Sequence, residues 1–247
     1  MNPFLKKSKQ LSIFLTAGFP FIDSLTGQLE ELESYQIDFI EVGIPFSDPL
    51  ADGPIIQNTS QVALKNGMNL DLIFKQLAKR STKIPLVLMG YINPIISFGL
   101  EKFLKICKRV NIPAVIIPDM SLEIYDRFYS VYFEKNSVSP CFLITLKTPK
   151  DRIRKMCERS KNSFVYLVSS NATTGSSISF SVEELPNYNA IKEICGETPL
   201  FIGFGIDSYE KVKLVQSLAD GAIIGSAYLK ALSENKHHKF LNKLSDL

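Results

Sequence analysis

Glu41, Asp48 and Asp52 fall within one short segment, and their surroundings suit acid–base work. Glu41 closes an apolar run, Phe39-Ile-Glu41, so its carboxylate must either be paired or face an opening. Burial disfavours the ionised form and lifts a carboxyl toward values useful for proton transfer near neutrality. From these residues alone, a catalytic acid and a structural ion pair are both open. Asp48 and Asp52 follow in a loop braced by Pro45, Pro49, Gly53 and Pro54, a restrained backbone that suits a positioned acid. The two histidines, His237 and His238, are adjacent and near the C-terminus. A mid-chain histidine base, or a Ser-His-Asp triad built on a buried central histidine, is therefore unavailable, and proton transfer falls to carboxylates, Lys, Tyr or Cys.

A second chemistry is anion binding. Phe201-Ile-Gly-Phe-Gly-Ile-Asp207 ends in two glycines, and Ala222-Ile-Ile-Gly-Ser-Ala227 places Gly225 and Ser226 at the start of a helical stretch. Glycine lets backbone N–H groups approach an anion, and a helix start adds positive dipole. The alternative is that these glycines only turn the chain. Ser170-Asn-Ala-Thr-Thr-Gly-Ser-Ser-Ile178 is small and polar, which fits a lid that excludes water or a plain surface loop. Phe14, Met89, Tyr91, Ile116, Tyr166 and Phe204 sit on or just past predicted strand ends. Such residues are core, or the wall of a pocket for a flat apolar molecule.

The elements that must position these groups are legible. Short, nearly all-apolar runs at 11–16, 38–42, 85–89, 114–118, 140–144, 164–169, 199–203 and 221–224 read as parallel strands covered on both faces. Between them, 100–110 and 209–218 repeat apolar residues at helical spacing, and Ser181-Val-Glu-Glu reads as a helix start. Eight β–α alternations in about 250 residues favour a closed (βα)8 barrel over an open doubly wound sheet. The first strand leads into Thr16-Ala-Gly-Phe-Pro20, which lacks a dinucleotide glycine fingerprint. The expectation is an α/β (βα)8 (TIM) barrel, one domain over 1–247, with extra N-terminal and loop segments.

Composition narrows the classes. Lys+Arg is 28 and Asp+Glu is 25, a formal net charge of +3, too mild and too scattered for a nucleic-acid reader. The densest basic run, 150–155, reads as a solvated helix face. The N-terminus shows no signal peptide and no apolar run approaches a membrane span. Cys107, Cys141, Cys157 and Cys195 form no C-x-x-C pair, as for reduced thiols in a cytoplasmic protein. These residues alone point to a barrel enzyme acting on a phosphorylated, partly aromatic molecule by carboxylate catalysis. They do not name the reaction.

Glu41-Val-Gly-Ile-Pro-Phe-Ser-Asp-Pro-Leu-Ala-Asp-Gly-Pro-Ile-Ile-Gln57 resembles the signature of the tryptophan synthase α-subunit family. The resemblance continues through Phe14-Leu-Thr-Ala-Gly18, Leu88-Met-Gly-Tyr-Ile-Asn-Pro94, Val115-Ile-Ile-Pro-Asp119, Phe164-Val-Tyr-Leu-Val-Ser169, Gly203-Phe-Gly-Ile206 and Gly225-Ser-Ala227. It implies retro-aldol cleavage of indole-3-glycerol phosphate to indole and glyceraldehyde 3-phosphate, the last steps of tryptophan biosynthesis. By the same resemblance Glu41 shuttles the protons and Asp52 accepts a hydrogen bond from the indole N–H. Phosphate would sit on Gly175, Gly205, Gly225 and Ser226. Phe14, Tyr91, Tyr166 and Phe204 would border the indole, Thr174 would hold Asp52, and Asp48 would touch the partner. That partner is a β subunit carrying pyridoxal phosphate in an α2β2 assembly, with no cofactor or metal in this chain. Where the family lid reads Ser-Arg-Ala-Gly-Val-Thr-Gly, this chain has Ser169-Ser-Asn-Ala-Thr-Thr-Gly175. That departure motivates the alternative of a mainly regulatory subunit with weak lyase activity.

Overall fold

The computed structural model describes residues 2–5, 9–168, 185–203 and 205–244. Eight strands, β1 (Gln10–Thr16), β2 (Phe39–Gly43), β3 (Leu86–Met89), β4 (Ala114–Ile116), β5 (Ser139–Ile144), β6 (Val165–Val168), β7 (Leu200–Gly203) and β8 (Gly221–Ile224), close into a parallel barrel in sequence order. Their residues are almost all buried, β1 to β3 completely, which explains the unbroken apolar runs: one face meets the barrel interior and the other the helices. Each predicted strand is present, with no end shifted by more than two residues. β4 stops at Ile116 because the chain turns there, with Met120 N–H donating to Ile117 C=O at 3.1 Å.

The helices are α1 (Ser24–Leu32), α2 (Pro54–Lys65), α3 (Leu70–Leu77), α4 (Ile92–Phe98), α5 (Leu100–Arg109), α6 (Leu122–Ile124), α7 (Ser130–Asn136), α8 (Lys150–Arg159), α9 (Leu185–Cys195), α10 (Tyr209–Leu218), α11 (Ser226–Ser233) and α12 (His237–Asn242), with a π-helical turn at Tyr125–Tyr129. In α5 the apolar face buries Phe103, Leu104 and Cys107, while Lys108 and Arg109 occupy its last turn, where the carbonyl ends favour cations. In α8, Ile153, Met156 and Cys157 face inward, and Lys150, Arg154 and Lys155 remain exposed. The basic run is thus the solvated face expected, with Arg154 on Asp151 and Arg152 on Glu123. All four cysteines are buried free thiols. No helix among the described residues is long and apolar enough to cross a membrane.

The N-terminal segment closes the bottom of the barrel. Phe4 is fully buried and meets Phe39 and Phe164 edge-on, each at 5.2 Å between ring centroids. Phe201 completes the cluster, 4.9 Å from Phe39 and 4.8 Å from Phe164. Such pairs contribute about 0.5–1.5 kcal/mol each beyond the area they bury. Gly221 makes the space: a Cβ there would lie 2.5 Å from the Phe201 ring. Gln10 Nε2 donates to Phe4 C=O at 2.7 Å and Asn2 Nδ2 to Ser163 C=O at 2.8 Å, tying the chain start to β1 and to the residues before β6.

Candidate active site

Parallel register sets the floor of the opposite end. Glu41 stands beside Phe14 of β1 and Val87 of β3, so its side chain enters the barrel with theirs. Two strand-end glycines leave room for rings. A Cβ at Gly43 would lie 2.4 Å from the Phe14 ring, and one at Gly203 would lie 1.9 Å from the Tyr166 hydroxyl. Both rings therefore lean across the mouth over positions where neighbouring strands carry no side chain.

Glu41 is 1% exposed, and its Oε1 accepts no hydrogen bond from a described residue. Burial pushes its carboxyl up to about 8, so near neutral pH it holds a proton it can give away. Among the described residues no counter-ion offsets that burial. Burial also pushes the Tyr166 hydroxyl well up, reinforced by the nearby charges of Glu41 and Asp52.

Asp52 comes from the loop between β2 and α2. Pro54 opens α2 behind Gly53, a position where its missing N–H costs nothing. Gln57 Nε2 donates to Asp52 C=O at 2.8 Å, and Thr59 Oγ1, buried, lies 2.8 Å from Thr16 Oγ1 of β1. The helix is thus pinned to the barrel and carries the loop with it. Burial raises the Asp52 carboxyl, and a hydrogen bond from Tyr91 opposes that rise. The same Tyr91 oxygen accepts from Ala51 N–H at 3.0 Å, and its ring stacks against Phe46, 5.2 Å away. Tyr91, read from the sequence as an aromatic border, is brought to Asp52 instead and does not line the main cavity.

The anion side forms from β7 and β8. Gly205 has φ +67°, a left-handed conformation natural to glycine, and Lys211 Nζ holds its carbonyl at 3.1 Å. Gly225 precedes Ser226, the first residue of α11, so backbone N–H groups of a helix start face the cavity. A Cβ on Gly225 would meet nothing closer than Phe14 at 3.6 Å, so packing within the protein does not itself require glycine there.

These groups share one cavity of about 660 Å³, lined by Phe14, Glu41, Asp52, Met89, Tyr166, Gly205, Gly225 and Ser226. Its outer wall adds Ile55 and Ile56 of α2 and four lysines, Lys230, Lys236, Lys239 and Lys243. Sequence reasoning missed those lysines. Their only signal was the basic spacing of the last twenty or so residues, which reads equally as a solvated helix. Ile116 is core. Asp48 is exposed on the rim next to Leu50, which is 87% exposed. Thr174, Gly175, Phe204, the proposed lid at 170–178 and the helix start at 181–184 lie outside the described residues.

A (βα)8 barrel that brings a buried acid, a loop-held second acid and strand-end glycines to one cavity has the make-up of a barrel enzyme. The family model of the tryptophan synthase alpha chain matches residues 4–246, and the chain belongs to that family. A tryptophan synthase alpha chain of Flavobacterium psychrophilum is 43% identical over 238 residues, 95% of this chain and 94% of that one. Among solved structures, the tryptophan synthase subunit alpha from Campylobacter jejuni matches with TM-score 0.84 and 30% identity, covering 98% of this chain and 96% of that one. The tryptophan synthase complex from Pyrococcus furiosus matches with TM-score 0.83 and 29% identity, over 95% and 96% of the two chains.

Proposed function

We propose that the chain is a lyase that cleaves indole-3-glycerol phosphate to indole and glyceraldehyde 3-phosphate, and that it hands the indole to a β subunit. The observation that carries this reading is the meeting of Glu41, Asp52 and the Gly205–Gly225–Ser226 cradle on one cavity.

The protonated Glu41 carboxyl donates its proton to indole C3, which makes the ring an electron sink. As positive charge develops on the indole nitrogen, Asp52 accepts the hydrogen bond from its N–H and stabilises that charge. The Glu41 carboxylate then takes the proton from the glycerol hydroxyl next to the scissile bond. The C–C bond breaks, its electrons return to the indole, and the hydroxyl carbon becomes the aldehyde of glyceraldehyde 3-phosphate. Glu41 ends protonated as it began. Tyr91 positions Asp52, Phe14 and Tyr166 border the indole, and Gly205, Gly225 and Ser226 bind phosphate. Thr174, Gly175 and Phe204 complete the set by family resemblance.

The partner in this reading is the β subunit of an α2β2 tetramer, which carries the pyridoxal phosphate. Asp48, beside the exposed Leu50, is its contact. The whole of 1–247 is taken as one barrel domain, supported by a family match from 4 to 246, and the cytoplasm is the expected compartment for such a biosynthetic enzyme. A mainly regulatory role is not favoured, since both acids reach the cavity.

The test is indole release from indole-3-glycerol phosphate by the purified chain, alone and with a β subunit. Release is expected in both cases and faster in the complex. A complex that makes tryptophan from added indole but releases none from the phosphate ester would overturn the lyase reading.

A further inference from the structure

Outside that cavity, α1 and α12 meet on the outer wall, near the seam where β1 pairs with β8. Glu31 lies in the last turn of α1, and His237 and His238 are the first two residues of α12. Glu31 Oε1 is 3.3 Å from His237 Nε2 and 3.3 Å from His238 Nδ1. The two imidazoles are neighbours, with centroids 4.3 Å apart and planes tilted by 35°. One oxygen and two nitrogens thus fall within 4.8 Å of one another, the one such convergence of histidine, cysteine and acidic side chains among the described residues.

These atoms are close but not hydrogen-bonded. Glu31 Oε1 is closed to water and accepts no hydrogen bond from a described residue. A buried carboxylate oxygen without a donor is costly and calls for an explanation. The spacing supplies one. Metal–donor bonds of about 2.0–2.1 Å at tetrahedral angles place neighbouring donors about 3.3–3.4 Å apart, which is the separation found on both edges. Two imidazole nitrogens and one carboxylate oxygen suit zinc and its late first-row neighbours, whereas calcium and magnesium favour all-oxygen sites.

We propose that Glu31, His237 and His238 form a binding site for a divalent late first-row transition ion, zinc foremost. His238 Nδ1 shares a hydrogen bond with the Tyr35 hydroxyl, 3.2 Å away; the ion would take over that nitrogen, and its three protein donors leave a fourth position for water. The ion would join the first helix of the barrel to the last, residues separated by 237 − 31 = 206 positions, and so fasten the seam of the helical ring. Because these donors converge only in the folded chain, binding is coupled to folding. The site does not touch the residues assigned to the lyase reaction.

The experiment uses the untagged full chain, stripped with a chelator, and Zn²⁺ and Co²⁺ salts alone as probes. One equivalent per chain should bind in calorimetry. Co²⁺ should give the intense visible absorption of a four-coordinate ion, and the thermal midpoint should climb with the logarithm of free Zn²⁺. His238→Ala, at an exposed position, and Glu31→Gln should each weaken binding at least tenfold and remove the absorption. No response in the wild type, or an equal response in wild type and variants, overturns the proposal. So does a stability that follows pH and ignores Zn²⁺, which would mark a proton-held ion pair. Should Glu31→Gln fail to fold, His237→Ala and His238→Ala decide the question by the same readouts.

Discussion

The two acids of the cavity are held by opposite means. Glu41 belongs to β2, where backbone pairing on both sides fixes it, and burial alone sets its proton affinity. Asp52 belongs to a loop, and a hydrogen bond from Tyr91 works against the effect of burial. The first is kept as an acid and the second eased toward its charged form. The difference matches what the reaction asks of them. One must hold a proton at rest and release it to carbon; the other must accept a hydrogen bond from a ring that becomes positive. In the proposed mechanism the two carboxyls take different roles, and among the described residues a donor reaches Asp52 while Glu41 Oε1 accepts none.

The largest way to break this contrast is Glu41→Gln. It keeps shape but cannot exchange the proton, and the lyase rate should fall on the order of 10³–10⁴-fold while phosphate ligands still bind. Near-wild-type turnover would remove Glu41 from the mechanism. Asp52→Asn should cost about 10²-fold, mostly in kcat, since it weakens an interaction that grows in the transition state; an effect confined to KM would make Asp52 a ground-state contact.

Stability offers an independent reading of the same contrast. Folded, Glu41 keeps its proton up to about 8, whereas the unfolded chain releases it near the ordinary value of 4.5. Its contribution to stability is therefore complete below about 4.5 and shrinks as pH rises toward 8. Denaturant unfolding of Glu41→Gln should lack that decline, leaving the variant more stable than wild type at pH 8 by on the order of a few kcal/mol. Identical pH dependence in the two proteins would contradict a buried, unpaired acid. The smallest effect belongs to Tyr91→Phe. Removing the hydroxyl lets the Asp52 carboxyl rise further, so the acid limb of the kcat/KM profile should move to higher pH with about a three- to tenfold loss. A uniform loss at every pH would reduce Tyr91 to a packing residue.

Much of this was legible in the sequence because it rests on local pattern. Each strand is a short apolar run, and α5 and α10 begin and end close to where their periodicity does. Glu41 and Asp52 could be singled out because the strand end and the Pro/Gly loop lie in one segment. The contacts that join distant segments were not legible. Tyr91 reaches Ala51 and Asp52 across forty residues, and nothing near Tyr91 distinguishes an aromatic wall from a hydrogen-bond donor. The lysines of α11 and α12 share a cavity with Phe14 only because β1 closes against β8. Phe4, in a segment with no regular structure, proves to be core.

That last residue has a consequence for traffic. With Phe4, Phe39, Phe164 and Phe201 filling the lower end, the barrel is a blind well. Among the described residues this end is closed, and the cavity opens on the side ringed by Asp52, Gly205, Gly225 and the lysines. In the proposed reaction, whatever covers that side therefore meets reactant and products alike, and a change that speeds arrival must be judged by what it does to departure.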